Sequence, residues 1–482
     1  MNRHDFIKTL CLGVASIAMP SCRSGISGSK KKPNVLLIIT DDQRFDTLHA
    51  LGNQHIITPH MDSLVHNGTT FTNAYIMGGT SPAICAPSRA MMLTGRTLFH
   101  VDKQGYWQYD IEENNITLPE TFKNLGYRTF GTGKWHNGQA AYARGFSDGN
   151  KIFFGGMSDH YRVPFCDFDP TGQYPKGEEL SAFRKRVDAG EKGTHSSELF
   201  SNAAIRFLRE YESDDPFFMY VSYTAPHDPR IMPKKYRDMY DPDKVPFPEN
   251  FLARHPFDNG NLDGRDEMLA PHPRTPETVR EHIADYFAII THLDSQIGRL
   301  LAALDETGKT NNTIIVFCGD NGLAVGHHGL MGKQSIYEHS VHVPLIMSGP
   351  GIPKGEQRDS FCYLLDLFPT LCDLTGSKTP GTVEGLSLLP VINNPRHKIR
   401  ETLFFAYMDF QRGVRDERYK LMEYSVNGER TTQLFDLKSD PWEINNLSGN
   451  PDYAEQQMRL RTELLRRKDK LGDGNAFWKG YD

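Results

Sequence analysis

The stretch NVLLIIT, residues 34–40, is uncharged throughout and stops at the acidic pair Asp41-Asp42. A run that is apolar at successive positions, rather than at alternate ones, describes a strand buried on both faces. Such strands belong to parallel sheets covered by helices. The same design recurs in TIIVFCGDNG, residues 313–322, which stops at Asp320-Asn321. FFMYVSYTAPHDP begins as a strand at Phe217 and is expected to stop at His227, and YRTFGTGKWHNG carries a shorter run ending near Lys134. Helical patterns lie between these runs. From Pro276 to Thr307, Ile283, Phe287, Ile290, Leu293, Ile297, Leu300 and Leu304 share one stripe, with Gly308 as the stop. Strands alternating with helices, with polar residues at the strand ends, predict an α/β fold. Its large, mostly parallel central sheet is flanked by helices, and its site lies along the carboxyl edge.

Beyond about residue 380 the texture changes. RGVRDERYKLMEYSVNGERTTQLFDL, residues 412–437, reads as short strands with a turn at Asn427-Gly428, which predicts an antiparallel sheet. A charged helix follows from Pro451 to about Leu471; Leu460, Leu464 and Leu471 share a face, and its Arg and Lys residues read as solvated. The expected organisation is a main α/β domain over residues 33–380 and a small C-terminal antiparallel-sheet plus helix subdomain over 381–482. A chain of 482 residues is long for one core. Its net charge of −6 offers no basic field for a nucleic acid, so an anionic ligand must be met by a local cluster of cations.

Residues 1–22, MNRHDFIKTLCLGVASIAMPSC, have a basic start, a short apolar run from Leu10 to Met19 and a small residue before Cys22. This is the pattern of an export signal, too short to span a bilayer. Met19-Pro20-Ser21-Cys22 resembles a bacterial lipobox, which implies lipidation of Cys22 and an outer-membrane-anchored lipoprotein. RHDFIK resembles a twin-arginine signal with one arginine replaced by histidine. Ordinary signal-peptidase cleavage nearby, releasing the chain into the periplasm, is the alternative. RSGISGSKKK, residues 23–32, reads as a flexible tether.

Five of the seven cysteines lie beyond the signal: Cys85, Cys166, Cys318, Cys362 and Cys372. They have no metal-ligand spacing, and an odd number outside the cytoplasm leaves at least one unpaired. Cys318 and Cys362 sit in apolar runs and read as core. Cys85 lies in SPAICAPSRAMMLTGR, residues 81–96, where Pro87 fits the first turn of a helix and Gly95 its stop. The cysteine is thus at the amino end of that helix, where free amides and the dipole favour an anion. A low-pKa thiolate nucleophile fits those facts, but it explains neither the acidic pairs nor the Pro-Ser-Arg that follows.

Asp41, Asp42, Asp320 and Asn321 are hard oxygen ligands at two strand ends, a set that suits calcium or magnesium and not zinc. A lone acidic pair more often caps a helix; two pairs at the ends of two buried strands point to a metal. Cations fall near the same edge: Arg89 one turn after Cys85, Lys134 and His136 in GKWHNG, His227 in TAPH, and Lys333 after GHHGLMG. Singly, each reads as a surface charge or a core histidine. Together they describe a pocket for a tetrahedral anion.

CAPSRAMMLTGR resembles the signature of the type I, formylglycine-dependent sulfatases of the alkaline phosphatase superfamily. DDQR, GTGKWHNG, TAPHDP, GDNG, GHHGLMGK, YEHSVHVPLIMSGPG and QLFDLKSDPWEINNL extend the resemblance over nearly the whole mature chain. The resemblance, which is to bacterial carbohydrate sulfatases, implies an alkaline-phosphatase-like fold and conversion of Cys85 to Cα-formylglycine by a maturation enzyme. It implies that Asp41, Asp42, Asp320 and Asn321 hold calcium, with magnesium the alternative, and that the modified Cys85 joins the metal site. Arg89 would orient the hydrated aldehyde, Lys134 and Lys333 would bind sulfate, and His136 and His227 would handle protons.

In the implied mechanism one hydroxyl of the hydrated aldehyde, its pKa lowered by calcium, attacks sulfur in line. His227 or Lys333 protonates the departing alcohol, and the second hydroxyl, deprotonated by His136, collapses to the aldehyde and expels sulfate. The expected substrate is a sulfated saccharide, glycosaminoglycan-derived fragments included. Asp159, His160 and Arg162, in the insertion FFGGMSDHYRVPFCDFDPTGQYP, are candidates to reach the sugar. Two rivals stay open: a phosphonate or phosphate-ester hydrolase of the same superfamily, and an inactive glycan-binding lipoprotein with an unmodified cysteine.

Overall fold

In the computed structural model, which describes residues 31–101, 109–174 and 193–481, the run Asn34–Thr40 lies in the middle of an eight-stranded sheet. Every residue of it is buried because both faces are covered: Val35, Leu37 and Ile39 enter one core, Leu36 and Ile38 the other. Thr313–Gly319 and Phe217–Ser222 flank it in parallel, and Arg128–Lys134 and Asp148–Phe153 continue the parallel half. On the other side Leu345–Ser348 runs antiparallel to both its neighbours, Thr313–Gly319 and Gly68–Phe71, and Glu356–Arg358 closes the edge. The sheet is therefore mostly parallel. The expected export signal at 1–22, most of the tether, and residues 175–192 of the insertion lie outside the described residues.

Parallel strands open their carboxyl ends on one edge, and register brings those ends level. Thr40 pairs with Gly319, while Ile39 and Gly133 both pair with Ser222. Gly133 is required there: its φ is 88°, and a Cβ would lie 1.8 Å from Ser222 O. The register with Asp148–Phe153 shifts between Gly131 and Gly133, with the extra residue on that edge strand, where Lys151 takes a φ of 53°, so Arg128–Lys134 keeps its regular pairing with Phe217–Ser222 as far as Gly133. Regular pairing of the strand from Phe217 ends at Ser222, earlier than the expected stop at His227. Two further bonds, Tyr223 N to Ile39 O (2.8 Å) and Asp41 N to Ala225 O (3.1 Å), carry the segment along the central strand. Pro226, which has no N–H, ends the ladder.

The helix Pro276–Glu306 lays the expected stripe on the core that holds Leu36 and Ile38. Thr275 caps it by accepting from Thr278 N at 3.3 Å. The helix Cys85–Thr94 covers the opposite face, and Gly95, at φ 64°, ends it with its N–H bonded to Met91 O at 2.8 Å.

Leu403–Tyr407, Gln411–Arg415, Tyr419–Val426 and Glu429–Asp436 form the C-terminal antiparallel sheet. Asn427 and Gly428 both take positive φ, 52° and 85°, in the turn where the sequence places it. A strand the sequence does not announce, Gly78–Gly79, pairs in parallel with Leu403–Tyr407 and ties this sheet to the segment leading to Cys85. Residues Lys32–Asp482 form one compact unit. The helix Ala454–Leu471 packs through the buried Leu460 and Leu464. Its basic residues are not all simply solvated, contrary to expectation: Arg461 Nε donates to Glu423 Oε1 at 2.8 Å and pins the helix to the sheet. Among the described residues no helix is long and apolar enough to cross a membrane.

Candidate active site

Cys85 is the first residue of its helix and only 2% exposed. The Pro-Ser-Arg after it has a physical reason. Ser88 Oγ donates to Asp320 O at 2.5 Å and Arg89 Nε to Asp320 Oδ2 at 2.7 Å, so one helical turn fastens the cysteine's helix to the loop after Thr313–Gly319. Arg89 is fully buried, and its Nη1 donates to Lys134 O (3.0 Å), Tyr220 OH (3.1 Å) and Ser222 Oγ (2.5 Å). Its Nη2 has no partner among the described residues. Burial opposes the charge on this guanidinium, but Asp320, Tyr220 and Asp41 more than offset burial, and its pKa is raised.

The Cys85 Sγ lies 3.3 Å from Lys134 Nζ and 3.4 Å from His136 Nδ1. His136 is held at φ 66°, in the left-handed region that non-glycine residues adopt at a cost. Its neighbour Asn137 anchors the turn by donating to Ala86 O at 2.9 Å and Tyr109 O at 3.1 Å. Burial, with the charges of Lys134 and Arg89, holds His136 well below the usual imidazole range, which leaves a neutral base beside residue 85.

Asp41, Asp42, Asp320 and Asn321 are all fully buried and meet at this edge. Asp42 N donates to Asp320 Oδ1 (3.1 Å), and Asn321 Nδ2 donates to Asp42 Oδ1 (2.8 Å). Lys134 Nζ pairs with Asp41 Oδ2 and Lys333 Nζ with Asp42 Oδ1, each at 2.5 Å. Burial pushes Asp41 up to about 6 against the pull of Lys134, and burial with the charge of Asp41 pushes Asp320 up to about 6 against Arg89. For Asp42 burial acts the same way, but His227 and Lys333 outweigh it and hold it below the usual carboxylate range.

Three oxygens in this cluster have no hydrogen-bond partner among the described residues: Asp41 Oδ1, Asp42 Oδ2 and Asn321 Oδ1. A buried polar atom left unpaired costs about 1–3 kcal/mol. Three hard oxygens orphaned together, beside carboxylates that burial already strains, fit a divalent cation of the calcium or magnesium kind. Asp41, Asp42 and His227 also bring one ligand-type atom each within 4.8 Å of one another.

His227 donates from Nδ1 to Asp228 O at 2.8 Å, so its Nε2, 3.8 Å from Asp42 Oδ2, is the atom offered to the site. A cavity of about 410 Å³ opens above it, lined by Cys85, His136, His227 and Lys333 together with Met157, Asn261 and Arg265. The three residues expected to reach a sugar do not line it. Asp159 and Arg162 are exposed and serve a local turn: Arg162 N donates to Asp159 O at 2.9 Å, and Asp159 Oδ1 accepts from Tyr161 N at 2.8 Å. His160 is 1% exposed, and its Nε2 donates to His227 O at 3.0 Å while Nδ1 accepts from Ser196 Oγ at 2.9 Å. It positions the His227 loop from behind.

Sequence reasoning missed Ser88, Asn137, Tyr220 and Gln334. Ser88 stands inside the quoted motif and Asn137 beside His136; Tyr220 and Gln334 carry no local signal. Gln334 Oε1 accepts from Lys333 N at 2.9 Å and its Nε2 donates to Pro82 O at 3.1 Å, joining the lysine to the segment before Cys85. All five cysteines among the described residues are free and buried, so Cys85 differs from the rest by its neighbours.

Known proteins show the family. The sulfatase family model matches residues 33–377, and a model described as N-sulphoglucosamine sulphohydrolase, C-terminal, matches residues 326–470. The arylsulfatase of Clostridium perfringens is 32% identical over 93% of this chain and 98% of its own length. The N-acetylglucosamine-6-O-sulfatase of Bacteroides thetaiotaomicron is 26% identical over 96% of this chain and 90% of its own. A solved structure of a protein in complex with its substrate D-glucosamine-2-N,6-O-disulfate superposes with a TM-score of 0.76, covering 93% of this chain and 99% of that one. At 24% identity that last likeness is one of fold. With the family matched across most of its length and the signature residues gathered at one sheet edge, the chain belongs to the sulfatase family and is a sulfuric ester hydrolase.

Proposed function

We propose that the chain hydrolyses a sulfate ester carried by a saccharide, with Cys85 converted to Cα-formylglycine and calcium held by Asp41, Asp42, Asp320 and Asn321. The observation that carries this reading is the setting of Cys85. Its Sγ is within 3.4 Å of both Lys134 Nζ and His136 Nδ1, and the three partnerless oxygens of Asp41, Asp42 and Asn321 lie in the cluster that Lys134 joins. The named activity of the Bacteroides thetaiotaomicron relative supports a saccharide as the alcohol.

Formylglycine supplies an oxygen nucleophile in place of the thiol, and a divalent ion supplies the charge that lowers its pKa and polarises the ester. The rest is the work of this chain's side chains. Lys134 and Lys333 are each occupied by a carboxylate. Once those carboxylates are otherwise neutralised, the two ammoniums are released to hold sulfate oxygens. Arg89, rigid through its Asp320, Tyr220 and Ser222 contacts, keeps Nη2 for the group on residue 85. His227, with Nδ1 committed to Asp228 O, carries a proton on Nε2 to the departing alcohol oxygen. His136, neutral, takes a proton at Nδ1 from the group on residue 85.

The lipobox-like Met19-Pro20-Ser21-Cys22 supports an exported protein, periplasmic or anchored at the outer membrane through Cys22, that meets its formylglycine-generating enzyme before or during export. Residues 33–380 would then be the catalytic part and 381–482 a C-terminal subdomain. The test is turnover by protein co-produced with a maturation enzyme, comparing 4-nitrophenyl sulfate with an aryl phosphonate and an aryl phosphodiester. Sulfate should be preferred. A preference for phosphonate would move the reading to phosphonate-ester hydrolysis, and no turnover of any ester would favour a glycan-binding lipoprotein.

A further inference from the structure

The rim of the cavity carries polar groups that sulfate chemistry does not use. Arg265 is 45% exposed at its side chain and lines the cavity. Its Nη1 donates to Asp228 Oδ2 at 2.5 Å and its Nη2 to Asp228 Oδ1 at 2.9 Å, a forked pair, and Nη2 also meets Asp266 Oδ1. Asp266 is buried, and its Oδ2 accepts from Gln334 Nε2 at 2.7 Å. Gln334 in turn bonds Pro82 O and Lys333 N. A continuous belt of bonds thus runs from the segment before Cys85, past Lys333, through Asp266 and Arg265, to Asp228 beside His227. It fixes the plane of the guanidinium at the wall of the cavity.

Three of the guanidinium's five hydrogens are engaged by these contacts. The Nε–H and the second Nη1 hydrogen have no partner among the described residues. Charge decides what they can take. Asp228 takes the fork through both of its oxygens and also has His227 Nδ1 3.3 Å from Oδ1, so this carboxylate is shared between two basic groups. One cation lies between two carboxylates, so its charge is already matched and what it has left to offer is its two open hydrogens. A second sulfate or a uronate carboxylate would find donors there but no uncompensated positive charge to offset its desolvation. A hydroxyl or ring oxygen would find the donors alone.

We propose that Arg265, held by Asp228 and Asp266, is a specificity-determining residue: it donates to an uncharged oxygen of the saccharide beyond the ester being cleaved, and the triad disfavours a second anionic group at that place. This rests on the saccharide sulfate-ester reading. The test uses matured enzyme with 4-nitrophenyl sulfate, whose leaving group has no hydroxyl to read, and a panel of monosulfated hexoses and N-acetylhexosamines. The quantity read is the ratio of kcat/KM for the best saccharide to kcat/KM for the aryl sulfate.

In Arg265→Lys, which keeps the charge but loses the fork, and in Arg265→Met, the ratio should fall about tenfold or more, mainly through KM. The parent should turn over the monosulfated saccharide faster than the same sugar bearing a second sulfate, and Asp266→Asn, which removes one negative charge, should narrow that gap. An unchanged ratio in both arginine variants would overturn the proposal, because Arg265 would then only brace the His227 loop. A parent that prefers the disulfated sugar, or that hydrolyses aryl sulfate but none of the monosulfated sugars, would overturn it too. A matured parent inactive on aryl sulfate as well would strike the sulfate-ester reading itself.

Discussion

Treating the matured protein with a chelator should lower its melting temperature by about 3 °C, a figure that follows from mass action and chain size. The buried cluster holds three carboxylates, and burial already pushes two of them, Asp41 and Asp320, up to about 6. Asp41 Oδ1, Asp42 Oδ2 and Asn321 Oδ1 have no hydrogen-bond partner among the described residues. An ion present at a hundred times its dissociation constant stabilises the folded state by about 2.7 kcal/mol. Unfolding entropy of about 2.1 cal/mol/K per residue, taken over the unit Lys32–Asp482, amounts to about 1 kcal/mol per kelvin. The loss is read by thermal unfolding at a fixed scan rate, with chelator and then with each metal restored. Calcium or magnesium should recover the shift, zinc should not, and Asp41→Asn should abolish the dependence. Superimposable melting curves with and without chelator would refute the assignment of these four residues.

Lys333→Ala removes a cation from the anion pocket, and turnover of a sulfate ester should fall about a hundredfold or more; near-normal turnover would mean the anion sits elsewhere. His160 is held down to about 4 by burial, from an ordinary 6.5, so between those values the unfolded chain binds a proton that the folded chain does not. Its contribution to stability is therefore fully present above pH 6.5 and lost as pH falls toward 4. His160→Gln should lose less unfolding free energy on acidification, by up to about 3 kcal/mol in urea titrations, and parallel pH profiles would contradict this. Cys85→Ser, left unmodified by a maturation enzyme that accepts only cysteine, offers one hydroxyl. It should complete at most one turnover and keep a covalent sulfate on residue 85, visible by mass spectrometry; sustained turnover would show that two oxygens on one carbon are not needed.

What the sequence could reveal was set by how local each signal is. Asn34–Thr40 and Thr313–Gly319 were legible because strands covered on both faces leave unbroken apolar runs, and their carboxyl ends had to meet if the strands were parallel. The turn at Asn427-Gly428 and the stop at Gly95 were legible because positive φ selects the residue. The strand Gly78–Gly79 was not, since two glycines have no pattern and only pairing with Ala406 and Tyr407 makes them a strand. Lys333 was assigned to the anion pocket by its motif, but its burial to 2% exposure and its pairing with Asp42 across a long separation in the chain had no local signal. His160 misled because a polar loop suggests exposure, whereas its ring fills a buried position behind His227. The belt through Arg265 depends on which loops the fold brings side by side, and no periodicity in PFDNGNLDGRDEML, residues 256–269, announces that.

The central claim is that Cys85 works as an aldehyde-derived nucleophile and not as a thiol. The direct measurement is the mass of the tryptic peptide Phe45–Arg89 from protein co-produced with a formylglycine-generating enzyme, set beside its activity on 4-nitrophenyl sulfate. The account predicts that residue 85 has exchanged its thiol sulfur for an aldehyde oxygen, and that sulfate release rises in proportion to the converted fraction. Full activity in protein whose peptide carries only unmodified cysteine would contradict it.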